Sequence, residues 1–175
     1  MRSSRGKGRS RKGLLQLFDS ACDLCLEQHE RGVRFEDFAE GFFSQVFRIV
    51  SRNLRTENGE LDLIIENVRS DPFWMEFGGD VLVECKNWNS NIPVKEVGHF
   101  LSKVSQGRVK LAFFLSVSGF TEHARRTLRN QAASGAAALV VPLTGESIRC
   151  ALISGVDLEE FLKNEIRGLK FLRMD

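Results

Sequence analysis

The chain has 175 residues, 42% hydrophobic and 27% charged, with a formal net charge of +2. That length suits one domain with a sizeable core, and the composition is neither disordered, collagenous nor disulfide-rich. No apolar run is long enough to cross a bilayer and no apolar signal-peptide core follows the basic N-terminus, so the expectation is a cytoplasmic protein with reduced cysteines and no membrane partner.

Residues 1–12 hold Arg2, Arg5, Lys7, Arg9, Arg11 and Lys12 without an acid. They read as a disordered tail, either a solubilising segment or a nonspecific phosphate binder. The rest, 13–175, reads as a single domain. Residues 13 to about 30 form an amphipathic helical pattern that ends at Arg31-Gly32. Cys22-x-x-Cys25 with His29 has the look of half a zinc site. All three fall inside that helical pattern, however, and no second ligand pair follows. A second helix is expected from about Val33 to Phe47, with Phe35, Phe38, Ala39, Phe42 and Val46 as its buried stripe and Glu36 and Glu40 on its flank.

A strand over Phe47–Arg55 should turn at Asn58-Gly59 into a second, Gly59-Glu60-Leu61-Asp62-Leu63-Ile64-Ile65. Residues 67–80 show no period and read as a hairpin extension or a substrate-touching loop; Phe73, Trp74 and Phe77 there more commonly cover the core. A third strand is Val81-Leu82-Val83-Glu84-Cys85-Lys86. Side chains alternate along a strand, so Glu84 and Lys86 share one face, and Asp62 faces away from Leu61, Leu63 and Ile65. Pairing of these strands would gather an Asp, a Glu and a Lys on one surface. Charge at a strand centre is costly unless it is paired or holds a metal, and two carboxylates beside a lysine suit a hard divalent cation with a proton-transfer group nearby.

The polar loop Asn87–Asn91 follows, expected to open to solvent. Pro93 then begins a helix to about Gln106. Lys110–Val117 reads as a central parallel strand. Thr121 should cap the next helix, whose Arg125, Arg126 and Arg129 form either a face for a phosphate backbone or a solvated surface. Ala137–Pro142 reads as a buried strand, and a last amphipathic helix carries Leu158, Phe161, Leu162 and Ile166. The order implies an α/β sandwich around a mixed β-sheet flanked by helices.

Asp62 followed by Glu84-Cys85-Lys86 resembles the PD-(D/E)xK nuclease signature, although Leu61 stands where the proline of that name would be. Gly32–Glu36, Gly59–Leu63, the helix near Val94 and Leu115–Thr121 follow in the order of the Mrr-type, restriction-endonuclease-like branch, with Holliday-junction resolvases as cousins. The resemblance covers about residues 32–145. It implies an α-β-β-β-α-β core with additional terminal helices and a metal-dependent endonuclease acting on DNA. It further implies Mg²⁺ (or Mn²⁺) on Asp62, Glu84 and the main-chain carbonyl of Cys85, catalysis by Asp62, Glu84 and Lys86, and an acid from the second helix, with Glu36 preferred to Glu40. Arg52 and Arg55 join the arginines of the later helix as candidate DNA contacts, unless they balance nearby acids. A homodimer and a regulatory partner are further expectations by resemblance. A nucleic-acid-binding module without activity, and a structural domain with a buried ion network, are the competing classes. Linear, methylated, branched and single-stranded DNA all remain open as substrates.

Overall fold

The computed structural model describes residues 10–56 and 59–171. In chain order the elements are α1 (Arg11–Ala21), α2 (Gln28–Phe43), β1 (Arg48–Thr56), β2 (Gly59–Glu66), α3 (Pro72–Met75), β3 (Asp80–Lys86), α4 (Val94–Gly107), β4 (Leu111–Ser116), α5 (Glu122–Ala133), β5 (Leu139–Thr144), α6 (Gly145–Ser154) and α7 (Leu158–Phe171). The strands form one sheet in the order β1-β2-β3-β4-β5. The first three pair antiparallel and β3, β4 and β5 run parallel. The parallel pairs need crossovers, which α4 and α5 supply, and the result is the mixed α/β sandwich that the sequence implies. Among the described residues no helix is long and apolar enough to cross a membrane.

Every residue of β4 is buried, as a strand covered on both faces must be. One face of the sheet packs Leu63, Ile65, Val81, Val83 and Phe113 against the phenylalanine stripe of α2, with α1, α6 and α7 around it. The other packs Leu82, Ala112 and Phe114 against Val97, Phe100 and Val104 of α4 and Ala124 and Leu128 of α5. Phe113 and Phe114 are adjacent residues on opposite faces, each 5.1 Å from an aromatic partner, Phe43 and Phe100 respectively. Each such ring contributes about 1.5–3 kcal/mol by burial alone. Together these contacts fix α2 and α4 on opposite faces of β2 and β3, which sets where their flanks can reach.

Several local expectations are corrected. The N-terminal helix begins at Arg11, so the last two residues of the basic tail, Arg11 and Lys12, are helical; Arg2, Arg5, Lys7 and Arg9 lie outside the described residues. It also ends at Ala21, and residues 22–27 are a connection in which the Asp23 carboxylate accepts the Cys25 N–H at 2.9 Å. Such a side-chain turn competes with helix. It places Cys22 and Cys25 outside a helix, and Leu24, apolar but exposed, has no core to extend. Arg31 and Gly32 do not end a helix; they sit inside α2, whose span is Gln28–Phe43, not 33–47. The final parallel strand runs Leu139–Thr144 instead of ending at Pro142. Residues 67–80 contain the short helix α3, and there the aromatics do cover the core: Trp74 is fully buried, with its indole N–H given to Glu159 of α7 at 2.9 Å.

The sequence reading also lacks α6. It starts directly from β5 with a reciprocal cap between Thr144 and Ser147, and its first residue, Gly145, touches the β4–α5 connection. A Cβ there would stand 2.4 Å from the Val117 carbonyl oxygen, which no relaxation of a side chain can relieve. Gly145→Ala should therefore destabilise the protein by about 1–3 kcal/mol. Gly168, exposed within α7 with nothing near its missing Cβ, should stabilise by about 0.4–1 kcal/mol on replacement by Ala. Denaturant unfolding of the two variants checks the pair, and equal behaviour would refute the close approach at Gly145.

Candidate active site

The β2–β3 ladder runs from Glu66–Asp80 to Leu63–Val83 and stops. Asp62 and Glu84 are the next residues in that register. β2 is irregular here on its other side as well. Asn53 of β1 adopts a left-handed φ of 49°, a conformation Asn tolerates better than most residues, and pairing resumes at Leu54–Leu61. Leu61 then packs with Ile64 on the α4 face, opposite Leu63 and Ile65. Strict alternation, which groups Leu61 with Leu63 and Ile65, fails at Asp62, where the β2–β3 ladder has ended and Asn53 interrupts the pairing with β1.

The two strands part at this point, and the Asp62 side chain enters the opening. Its Oδ2 accepts the main-chain N–H of Cys85 at 2.7 Å, serving a donor that the ladder no longer serves. Glu84, only 4% exposed, takes two ammonium groups, Lys86 Nζ on Oε1 at 2.8 Å and Lys103 Nζ on Oε2 at 2.9 Å. Lys103 comes from α4 and also donates to the Glu60 carbonyl of β2 at 2.8 Å. Sequence reading missed it. A lysine beside Val104 on an amphipathic helix has the look of a solvated flank, and only the packing of α4 over the opening turns it inward.

α2 approaches the same opening from the opposite face. Glu36 meets Arg52 at 3.4 Å, and Arg52 also pairs with Asp37 and with Glu40, the latter at 3.3 Å. Of the two helix acids that the sequence offers, the negative charge of Glu36 reaches Asp62 and Cys85, while Glu40 pairs with Arg52. Arg52 is thus tied to three α2 acids. Arg55 is exposed on β1. Arg125, Arg126 and Arg129 are exposed on α5, which packs beside α4, and Arg125 pairs with Glu122 at 3.1 Å.

Burial and the neighbouring Glu84 push the Asp62 carboxyl up to about 7, with Glu36 adding to the effect and the Cys85 N–H opposing it. Burial, then Asp62, raises the Cys85 thiol well above its ordinary value, so the thiol stays neutral and Cys85 offers the site its backbone. Burial works against the Lys86 ammonium, but Glu84, by charge and hydrogen bond, outweighs it and lifts the Lys86 pKa. Lys86 is therefore protonated in the metal-free protein.

The loop after Lys86 is held on both sides. Asn87 is buried, not solvent-facing as expected, and its amide donates to the carbonyls of Ala21 at 2.7 Å and Arg31 at 2.9 Å. Arg31 reaches Asn89 at 2.5 Å. The Ser118 hydroxyl donates to the carbonyl of Trp88, a half-buried residue, and Ile92 bridges to Phe120.

Among the described residues no three His, Cys, Asp or Glu side chains converge to hold an ion by themselves. A divalent cation here would draw on Asp62, Glu84 and a main-chain oxygen, the donor chemistry of a hard cation. A carboxyl pushed up to about 7 by burial and then by a second acid is the arrangement that such a charge relieves.

A mixed sheet that opens at one end over two acids and a lysine, with helices on both faces, is a restriction-endonuclease-like fold. The family model described as restriction endonuclease, Mrr_cat, matches residues 28–161, and the chain belongs to this family. Among solved structures, the chain is similar to the DNA modification-dependent restriction endonuclease AspBHI, with a TM-score of 0.52 and 18% identity over 97% of this chain. It is also similar to the MspJI restriction endonuclease in complex with a 27-mer oligonucleotide, with a TM-score of 0.44 and 16% identity over 95% of this chain. The chain spans 42% of the length of the first and 38% of the second. No curated protein matches the sequence.

The raised Asp62 pKa has a stability consequence. A carboxyl at about 7 in the folded protein, against an ordinary 3.8, contributes stability that is complete below the ordinary value and is lost as pH rises through about 7. Asp62→Asn removes the charge while its amide oxygen can still accept the Cys85 N–H. Without divalent cations, the variant should melt above the wild type at pH 8, by roughly 1–3 kcal/mol, and converge with it near pH 4. Melting curves across that range check this, and a pH-independent difference would contradict it.

Proposed function

We propose that this nuclease-family domain is a Mg²⁺- or Mn²⁺-dependent deoxyribonuclease of the Mrr type, hydrolysing phosphodiester bonds at the opening between β2 and β3. What supports the reading is one juxtaposition: Asp62, Glu84 and Lys86 meet where the ladder ends, with Glu36 adding charge from the other face. Asp62, Glu84 and the Cys85 carbonyl would hold a divalent ion, which would supply Lewis-acid stabilisation of the phosphate and acidify a water. The remaining work falls to the chain. To hold the ion, Asp62 would give up its proton and Glu84 one of its two ammonium partners. Lys86, charged and anchored to Glu84, is suited to stabilise negative charge on the attacked phosphate and orient the nucleophilic water, more than to take its proton. Asn87, fixed to α1 and α2, holds the backbone that aims Lys86.

Purified protein tested on supercoiled, linear and branched DNA with Mg²⁺, Mn²⁺ or EDTA decides the reading. Metal-dependent cleavage is the expected result; binding without cleavage would assign a nucleic-acid-binding module instead. Lys86→Ala should lower single-turnover cleavage by about 10²–10³-fold while the fold persists. Lys86→Arg should restore it only in part, because the guanidinium has a different shape and hydrogen-bond geometry. Near-normal cleavage by folded Lys86→Ala would refute the role of Lys86.

Arg125, Arg126 and Arg129 supply nonspecific DNA affinity in this scheme. Replacing all three with Gln should flatten the dependence of log K on log salt, each lost phosphate contact reducing the slope by about 0.9. An unchanged slope would make them a solvated face.

A further inference from the structure

We propose that Lys103 is an exchangeable counter-ion of Glu84, occupying that carboxylate in the metal-free protein and thereby setting how tightly the site takes a divalent cation. The inference rests on the metal-dependent reading above.

Glu84 is nearly fully buried, and a carboxylate there must be compensated. Two ammonium groups do so, one on each oxygen. An incoming cation needs a Glu84 oxygen, so one ammonium must yield. The two differ in how they are held. Lys86 follows Glu84 by two residues on the same strand and is drawn by Asp62 as well. Lys103 arrives from another element on a four-carbon stem, and its second partner is a neutral carbonyl, that of Glu60. Lys103 also has somewhere to go. It lines, with Glu84 and Lys86, an open pocket of about 300 Å³ on the α4 face. Lys103 is therefore the ammonium that leaves. It acts through Glu84 as a positioning residue, holding the carboxylate over the opening before a cation does.

The test uses Mn²⁺ alone, without DNA, with free ion counted by its electron paramagnetic resonance signal. Lys103→Met removes the competitor. Lys103→Gln removes the charge but retains a donor for the Glu60 carbonyl, and serves if the Met variant melts early. Both should bind Mn²⁺ about tenfold tighter than the wild type, the effect of removing one positive charge at hydrogen-bond distance in a partly buried site. A readout on the unmodified protein accompanies it: the hydrogen-bonded Lys103 side-chain ammonium, seen by nitrogen-15 NMR, should lose its exchange protection when Mg²⁺ is added. Variants that melt like the wild type and bind Mn²⁺ equally or more weakly overturn the proposal, as does an ammonium signal unmoved at saturating Mg²⁺. Those results leave the nuclease reading standing. Failure of every form, the wild type included, to bind Mn²⁺ overturns both.

Discussion

The hydrogen bond from the Cys85 main-chain N–H to the Asp62 carboxylate is the contact on which the site depends. Sheets do not readily open in the middle, because each unpaired backbone donor in a dry interior costs as much as a lost hydrogen bond. Here β2 and β3 separate next to a buried parallel strand, and a side chain stands in for the missing main-chain acceptor. The sheet is thereby given a gap without an orphan donor. The same substitution brings a carboxyl beside Glu84, and burial, then that proximity, raises the Asp62 acid. The bond that satisfies the backbone thus leaves an electrostatic strain at Asp62, which protonation relieves as pH falls below about 7.

The gap also explains how groups from both layers bear on one point. α2 and α4 lie on opposite faces of the sheet, and across an unbroken ladder the flank of one would be screened from the flank of the other. Asp62 senses Glu36 from the first layer and Glu84 from the second, and Lys103 spans β2 and β3 from the α4 side. The arginine on the α2 side is shared among three acids, which leaves that flank net negative, while Lys86 and Lys103 meet Glu84 on the α4 side.

The strands and their acids were legible in the sequence because burial leaves an unambiguous mark: Asp62, Glu84 and Lys86 interrupt apolar runs where charge has no business. Lys103 left no such mark, since a charged residue next to a helix stripe is the ordinary solvated case and only tertiary packing makes it otherwise. The irregularity of β2 at Asp62 was invisible for a related reason. Alternation is a property of a paired strand, and nothing in Leu61-Asp62-Leu63 says that the partner leaves. Cys22 to Glu27 misled in the opposite sense. Leu24 and Leu26 extend the helical period of α1, yet Leu24 is 75% exposed, and a local Asp23 turn outcompetes the period. The reciprocal cap of Thr144 and Ser147 ahead of Ile148, Ala151 and Leu152 was a readable start for α6, passed over because no loop separates it from β5.

The chain has two tryptophans and no tyrosine, and their placement gives the protein an uneven optical character. Trp74 is sealed in the core with its indole N–H engaged, so its emission reports on the integrity of the fold as a whole. Trp88 sits on the loop just beyond Lys86, half-buried, its carbonyl tied to Ser118. A change of its surroundings without a change at Trp74 would be an intrinsic signal from the mouth of the site, readable without any label and separable from unfolding by replacing one indole at a time.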